Sequence, residues 1–492
     1  MVILWCEMTK LANLPWKLAK KMIILGCIST KLTSNLPWKL AMFNRIIDFH
    51  LDKWKTDPFR KPLLLRGARQ VGKTYAVRRL GGQFKYFVEV NFERLEGAIS
   101  IFEKDLDPEK LILSLSLLLK TPIIPGQTLL FLDEVQESPR AILALRYFYE
   151  EMPNLHVIAA GSLLEFAIAK VGVPVGRISM LYMYPLSFLE YLVATGDNLI
   201  AKEILDHPPG IPIEEVVHIK ILGLLGEYLS IGGMPEAVAR WIQTKDPASA
   251  LNVLQQIAAT YRQDFGKYAR KAQVNYLEQL FHQIPHLIGK EFSYREIHGE
   301  YRKRELAPAM ELLERANITH SIRYCSGQEI PIGAEIDFDL FKVIYLDIGL
   351  CQAILGSDIS IWFLRPLEGF ENRGEIAEGF IGQELICYAS PDNKAEMYFW
   401  KRKEKNSAAE VDYLIQRGER IVPIEVKSGH GSSLRSLHLF LDSHPKSILA
   451  IRFSALNYSV MNKLDSRPLY AAASLAHDSQ REALARLVSM KS

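Results

Sequence analysis

Residues 67–74 carry the first recognisable chemistry: Gly67, Ala68, Arg69, Gln70, Val71, Gly72, Lys73 and Thr74 have the spacing of a phosphate-binding loop. Glycines let backbone N–H groups curl around phosphate oxygens, and the N-terminus of a following helix adds positive potential. Lys73 would reach the β and γ phosphates of a nucleotide, and the Thr74 hydroxyl would ligate Mg²⁺. A second part lies further along, where the apolar run 128–132 ends in Asp133 and Glu134. A carboxylate at a strand end can hold Mg²⁺ through water while its neighbour polarises the attacking water. Asp133 is expected in the first role and Glu134, as general base, in the second. Ser162, just past the apolar run 157–160, is expected to sense the γ phosphate. Arg177 follows, either to stabilise transition-state charge in its own or a neighbouring subunit or to make a packing ion pair. Arg69 reads as structural or subunit-facing. The expected cofactors are ATP and Mg²⁺.

A second acidic constellation occupies the last quarter. Residues 410–415 alternate like a strand, 416–419 read as a turn, and 422–427 read as the returning strand. A hairpin centred near Gly418 sets Asp412 opposite Glu425, and Lys427 shares the face of Glu425 because side chains alternate along a strand. Carboxylates so disposed can hold Mg²⁺ for phosphodiester attack, with the lysine positioning the water. Glu378, on a helix over 378–388, is the further ligand, with Glu384 as the alternative. The plain reading is a hairpin with a salt bridge from Lys427 to Glu425 or Asp412. The basic cluster Lys401, Arg402, Lys403 and Lys405 favours the nuclease-like one.

The elements that must position these residues follow from hydrophobic periodicity. Short apolar runs ending at 65, 132 and 160 alternate with helical stretches at 75–80 and 139–151, which predicts a parallel α/β sheet with its ligand at the carboxyl ends of the strands. Residues 214–270 are helical, broken by Gly232, Gly233 and Pro235. Three short helices over 277–287, 293–301 and 306–316, then strands at 322–324 and 341–346, read as winged-helix-like. Arg302, Lys303 and Arg304 stand where such a unit contacts phosphates, although a solvated helix end is the simpler account and such units often bind protein rather than DNA.

The 492 residues suggest about three domains. With 49% hydrophobic and 23% charged residues the chain is not a disordered one, and a net charge of +3 excludes a polycationic nucleic-acid binder, leaving room only for a local patch. No apolar run approaches the roughly 18–20 residues of a membrane span. Five scattered cysteines fit a reduced, cytoplasmic compartment. Asn-Leu-Pro-Trp-Lys-Leu-Ala occurs at 13–19 and again at 35–41, without the order of a signal peptide. Residues 1–41 read as translated upstream sequence ahead of a natural start at Met42, or as a tandem docking peptide.

Residues 42–492 resemble the bacterial and archaeal AAA-type ATPases that carry a C-terminal domain of uncharacterised function, DUF4143. The resemblance rests on residues 65–74 and 131–136, on Gly176-Arg177 ahead of 185–188, and on 232–236, 347–350, 409–412 and 423–429. It implies an ATPase domain at 42–210, a helical and winged-helix-like region at 211–350, and an α/β region at 351–492 similar to PD-(D/E)xK nucleases. By motif it implies a nucleotide site at Lys73, Thr74, Asp133 and Glu134, and a nuclease-like site at Glu378, Asp412, Glu425 and Lys427. The family usually has Thr-Gly-Ser-Ser after the third strand; here residues 160–163 are Ala-Gly-Ser-Leu. The expected activity is ATP hydrolysis coupled to a Mg²⁺-dependent, DNA-directed module. The alternative is an ATP switch whose C-terminal region only binds DNA or a protein. No membrane contact is expected, and homo-oligomerisation is left open by the sequence.

Overall fold

Leucine-rich runs that read as buried strands do build a sheet buried on both faces. Among the described residues, β1 (Leu63–Arg66), β2 (Tyr86–Asn91), β3 (Thr128–Asp133), β4 (His156–Ala160) and β5 (Ser179–Tyr182) form a wholly parallel sheet in the order β2-β3-β4-β1-β5. Every residue of β3 and β4 is buried, which explains the absence of polar alternation. The computed structural model describes residues 43–490 apart from 173, 175, 404–408 and 428–433. The heptapeptide repeat, Met42, Cys6, Cys27 and Lys405 lie outside the described residues.

Because the strands are parallel, all their ends face one edge. Leu63 of β1 is level with Ile158 of β4 and with Ser179 of β5. The loop after β1, the acidic pair after β3 and Gly161 after β4 therefore share the carboxyl edge. Arg177, two residues ahead of β5, belongs to the opposite one.

Helices Glu215–Ile231, Pro235–Thr244, Pro247–Tyr268 and Lys271–Gln283 follow, as the periodicity predicts. The Gly232-Gly233 break has a packing cause. Gly233 N donates to Asp347 Oδ2 at 2.6 Å, and a Cβ on Gly233 would lie 2.1 Å from the Leu186 carbonyl oxygen. Asp347 also caps the helix Ile348–Leu355 through Leu350 N at 2.8 Å. One buried carboxylate thus ties the turn to the start of that helix, while Leu186 N, past β5, donates to Gly233 O at 2.7 Å.

Of the three short helices expected of a winged-helix-like unit, two form. Helices Lys271–Gln283 and Lys303–Arg315 form, but the stretch expected to be helical over 293–301 contains only the 3₁₀ turn Tyr294–Glu296. Glu291 bridges Lys342, and Phe292 N donates to Phe341 O at 2.8 Å, so this segment is drawn against a strand instead. The ribbon of β6 (Thr319–Cys325) and β7 (Ile336–Tyr345) is not a free wing either. It continues into β8 (Met397–Lys401), β9 (Glu410–Arg417), β10 (Arg420–Val426), β11 (Ala450–Ser454), β12 (Ser459–Met461) and β13 (Leu464–Pro468). Among the described residues these eight strands pair in the order β12-β13-β11-β10-β9-β8-β6-β7, a mixed sheet that runs across the expected boundary at 350.

Helix Gly374–Cys387 is buried almost all round and packs against β7 and β10. Helix Asp478–Ser489 returns to the first helix, Ile46–Thr56, where Gln480 Oε1 lies 2.9 Å from His50 Nε2. Cys325, Cys351 and Cys387 are buried free thiols. Among the described residues, no helix is long and apolar enough to cross a membrane.

Candidate functional site

The helix Lys73–Gly81 starts from Gly72, whose φ is 105°, with no side chain capping its first N–H groups. Those donors remain for an anion. Gly67, at φ 143°, lies so close to Met183 that a Cβ would come within 2.2 Å of its carbonyl oxygen, so the loop packs flat against the segment after β5. Lys73 is buried, and its Nζ donates to Gly67 O at 2.9 Å and Ala68 O at 2.7 Å. Burial pulls the ammonium down to about 8, with Glu134 and then Asp133 opposing the fall.

The Thr74 hydroxyl stands 3.5 and 3.3 Å from the two Asp133 oxygens, Oδ1 and Oδ2. Burial, then the charge of Glu134, pushes the Asp133 carboxyl up to about 6. A hydroxyl and a carboxylate facing one another at the end of a phosphate loop fit a hard cation that takes oxygen ligands. Glu134 turns the chain through φ 51°, and its Oε2 accepts from Gln136 Nε2 at 2.8 Å and from Ser162 N at 3.5 Å. Lys73, Thr74, Asp133, Glu134 and Ser162 are thus gathered at one sheet edge. Three supporting residues escaped the sequence reading. Asn91 donates to Asp133 Oδ2 at 3.2 Å and Gln136 fixes Glu134. Arg45 is salt-bridged to Glu190 at 2.7 Å and donates to Val71 O at 3.1 Å inside the loop. Asn91 could have been found as the end of the strand beside Asp133; Arg45 carried no local signal.

Arg177 is not brought to this edge. It pairs with Glu150 at 2.9 Å at the far end of the sheet, so the packing ion pair is the role the structure gives it within its own chain. Arg69 ties the loop to a middle helix of the chain. Its guanidinium meets Asp264 Oδ2 at 2.5 Å, and its carbonyl accepts from the Tyr261 hydroxyl at 2.6 Å, both residues of helix Pro247–Tyr268.

In the C-terminal sheet the hairpin register pairs Arg420 with Arg417 and Ile424 with Tyr413, and the Asp412 carboxylate accepts from Val426 N at 2.8 Å. Lys427 is salt-bridged to Glu425, the plain reading of that pair. Glu425 Oε2 is buried without a hydrogen-bond partner. Glu378 and Asp412 do converge, but on a residue the sequence reading missed. Lys342 of β7, fully buried, sets its Nζ 2.9 Å from Glu378, 2.5 Å from Glu410 and 3.5 Å from Asp412. Burial pushes Glu378 up to about 7 and Glu425 up to about 8, each raised further by Asp412. Among the described residues no group of three acidic, histidine or cysteine side chains is arranged to hold a metal ion. The carboxylates expected as Mg²⁺ ligands therefore do not fit a metal as they stand. Glu384, the alternative ligand, instead accepts from Phe188 N, at the start of the helix Phe188–Thr195, at 3.0 Å. Three members of the basic clusters are paired: Lys401 with Glu291, Lys403 with Asp337 and Lys303 with Asp339.

Residues 59–192 match the family model of an AAA domain, residues 222–359 that of a domain of unknown function, DUF8612, and residues 373–469 that of a domain of unknown function, DUF4143. Among solved structures, the Walker-type ATPase of Pyrococcus abyssi is similar at 15% identity, covering 64% of this chain and 96% of that one, with a TM-score of 0.41. The ORC1 protein of Aeropyrum pernix in complex with DNA is similar at 12% identity, covering 65% and 94%, with a TM-score of 0.28. Drosophila ORC bound to DNA gives 14%, 67% and 94%, with a TM-score of 0.24. No curated protein matches the chain.

Proposed function

From the premise that this chain carries an AAA domain ahead of a DUF4143 domain, we propose that it is an ATP-hydrolysing switch whose C-terminal region acts by binding rather than by cleavage. The observation that carries the ATPase reading is the gathering of Lys73, Thr74, Asp133 and Glu134 at one sheet edge. In this reading residues 67–72 and the free N–H groups of the 73–81 helix hold the phosphates. Lys73 neutralises charge on the β and γ phosphates. Thr74 and Asp133 hold Mg²⁺, which supplies charge neutralisation at the transferring phosphoryl group. Glu134 orients and deprotonates the attacking water, with Gln136 and the Ser162 amide keeping its carboxylate in place. Ser162 contacts the γ phosphate. Arg69, clamped to Asp264, conveys changes at the loop to the middle helices.

The Mg²⁺-dependent nuclease is the second reading. It keeps Asp412, Glu425 and Lys427 on one sheet face, with Glu378 behind them, but it requires the ammonium of Lys342 to leave. The Lys342 contacts therefore favour binding over cleavage.

The test is a paired assay on the full chain. ATP turnover is measured for the wild type and Lys73→Ala. Cleavage and retention of linear, single-stranded and four-way-junction DNA are measured with Mg²⁺ or Mn²⁺, with and without ATP, beside Glu425→Ala. Turnover lost in Lys73→Ala, with DNA or a protein retained uncut in one nucleotide state, is the expected result. Cleavage that vanishes in Glu425→Ala would overturn the binding reading, and turnover that survives Lys73→Ala would overturn the ATPase site.

A further inference from the structure

The parallel pairing of β6 with β8 begins only at Ile322, opposite Met397. Ahead of those residues the two chains part. β6 reaches back to Thr319 alongside β7, whereas the segment before β8 turns towards the five-stranded sheet. There Pro391 O accepts from Tyr182 N at 2.8 Å, and Ala395 N donates to the Tyr184 hydroxyl at 3.4 Å. The gap between the two chains is a cavity of about 140 Å³, which Glu314 of the helix Lys303–Arg315 also lines. Its walls contain no residue of the nucleotide site and none of Glu378, Asp412, Glu425 and Lys427.

The polar groups on these walls are unevenly partnered. His320 lines the cavity, is only 6% exposed and makes no hydrogen bond among the described residues; its ring stands edge-on to Tyr184, with centroids 6.1 Å apart. Burial, then the Lys394 charge, holds the imidazole down to about 3, so the ring is neutral and has one N–H to donate. Folded chains pair nearly all polar groups buried to this degree, and an unpaired one on a cavity wall marks the place of a polar guest. Four charged side chains share the walls. Both carboxylates already hold a hydroxyl: Glu314 accepts from Ser321, and Glu396 from Tyr398 at 2.5 Å. Neither cation has a carboxylate partner among the described residues. The Arg323 guanidinium lies 5.1 Å from the Phe338 ring centroid, and the Lys394 ammonium 3.3 Å from the Glu314 carbonyl oxygen. A guanidinium fork matches the paired oxygens of a carboxylate or phosphate, and an ammonium beside it adds a point charge. The space compares with the engineered cavity of about 150 Å³ that holds one benzene, so the guest is small.

We propose that this cavity is a binding site for a small oxyanion, a carboxylate or phosphate on a body of few atoms, held by Arg323 and Lys394 and by the N–H of His320. The two cations take the charge, and the buried imidazole fixes the orientation of the guest. The inference goes beyond the proposed function and stands without it, because the cavity is separate from both the phosphate loop and the acidic hairpin.

The test is binding of inorganic phosphate and of malonate by the full chain, followed by isothermal titration and by thermal unfolding against chloride of equal ionic strength. It is run in a Lys73→Ala background so that the phosphate loop does not contribute. At least one of the two anions is expected to saturate at one per chain in the millimolar range and to raise the unfolding temperature. The tighter of them tells whether the site takes a phosphoryl or a carboxylate group. Arg323→Gln and Lys394→Gln are each expected to weaken that binding about tenfold, as for loss of a charge-assisted hydrogen bond. His320→Phe, which keeps a ring against Tyr184, is expected to weaken it as well. Ethylenediamine, of similar size and opposite charge, is expected not to bind. Should Arg323→Gln fail to fold, Lys394→Gln, at an exposed position, carries the expectation by itself. Saturation by neither anion would overturn the proposal and leave the cavity to water. So would anion binding that Arg323→Gln and Lys394→Gln leave unchanged, or binding of ethylenediamine in place of the anions.

Discussion

Glu384 offers a pH-dependent perturbation whose size follows from its surroundings. Its side chain is 1% exposed on the 374–387 helix, Oε1 accepts from Phe188 N at 3.0 Å, and burial pushes the carboxyl from 4.5 up to about 8. A buried carboxyl without a cationic partner is more stable neutral. The folded chain therefore keeps this proton over a range in which the unfolded chain has released it. The associated stability is full below about pH 4.5 and is lost as pH rises towards about 8. At about 1.4 kcal/mol per unit, the loss by pH 9 is of order 3–5 kcal/mol. Glu384→Gln removes the titration while keeping an oxygen to accept from Phe188 N. Wild type and variant are expected to unfold at similar denaturant concentrations near pH 5. By pH 9 the variant should be the more stable by about 3 kcal/mol. Urea unfolding of both proteins at pH 5, 7 and 9 measures this directly. A difference that stays constant across that range would refute the assignment of Glu384 as a buried neutral acid.

The nucleotide site should show two titrations in the free protein, Asp133 near 6 and Lys73 near 8. Affinity for Mg²⁺-ATP, read with a fluorescent analogue, is expected to fall below the first and above the second. Glu134→Gln, which removes a charge that raises both, should move both limbs to lower pH. Gly233→Ala would set a methyl 2.1 Å from the Leu186 carbonyl, and a loss of about 3 kcal/mol in thermal unfolding is expected, as for overpacking against backbone. Arg177→Ala should leave ATP turnover within about twofold, because the side chain pairs with Glu150 at the far edge of the sheet; a loss of about 100-fold or more would show that it reaches a neighbouring subunit's phosphates.

Local spacing was sufficient wherever function depends on neighbouring residues. The phosphate loop, the strand-end pair Asp133-Glu134 and the hairpin turning at Gly418 are each contained in a few consecutive residues, and hydrophobic periodicity set the first two on strands ending at one edge. The sequence by itself thus pointed to Lys73, Thr74, Asp133, Glu134 and Ser162, and the fold gathers these side chains at one sheet edge. It could not assign Arg177, because distance from the loop depends on which sheet edge the residue flanks. It also read 293–301 as helix, where only the 3₁₀ turn Tyr294–Glu296 forms, just past the pairing of Glu291 with Lys342 and of Phe292 with Phe341. The largest miss was Lys342, which is 36 residues from Glu378 and 68 or more from Glu410 and Asp412. Only the pairing of β7 with β6, of β6 with β8 and of β8 with β9 puts it in one sheet with Glu410 and Asp412. Whether an acidic constellation faces a metal or a lysine is a question of charge balance within a few ångströms, and charge balance at that range is set by tertiary structure rather than by spacing along the chain.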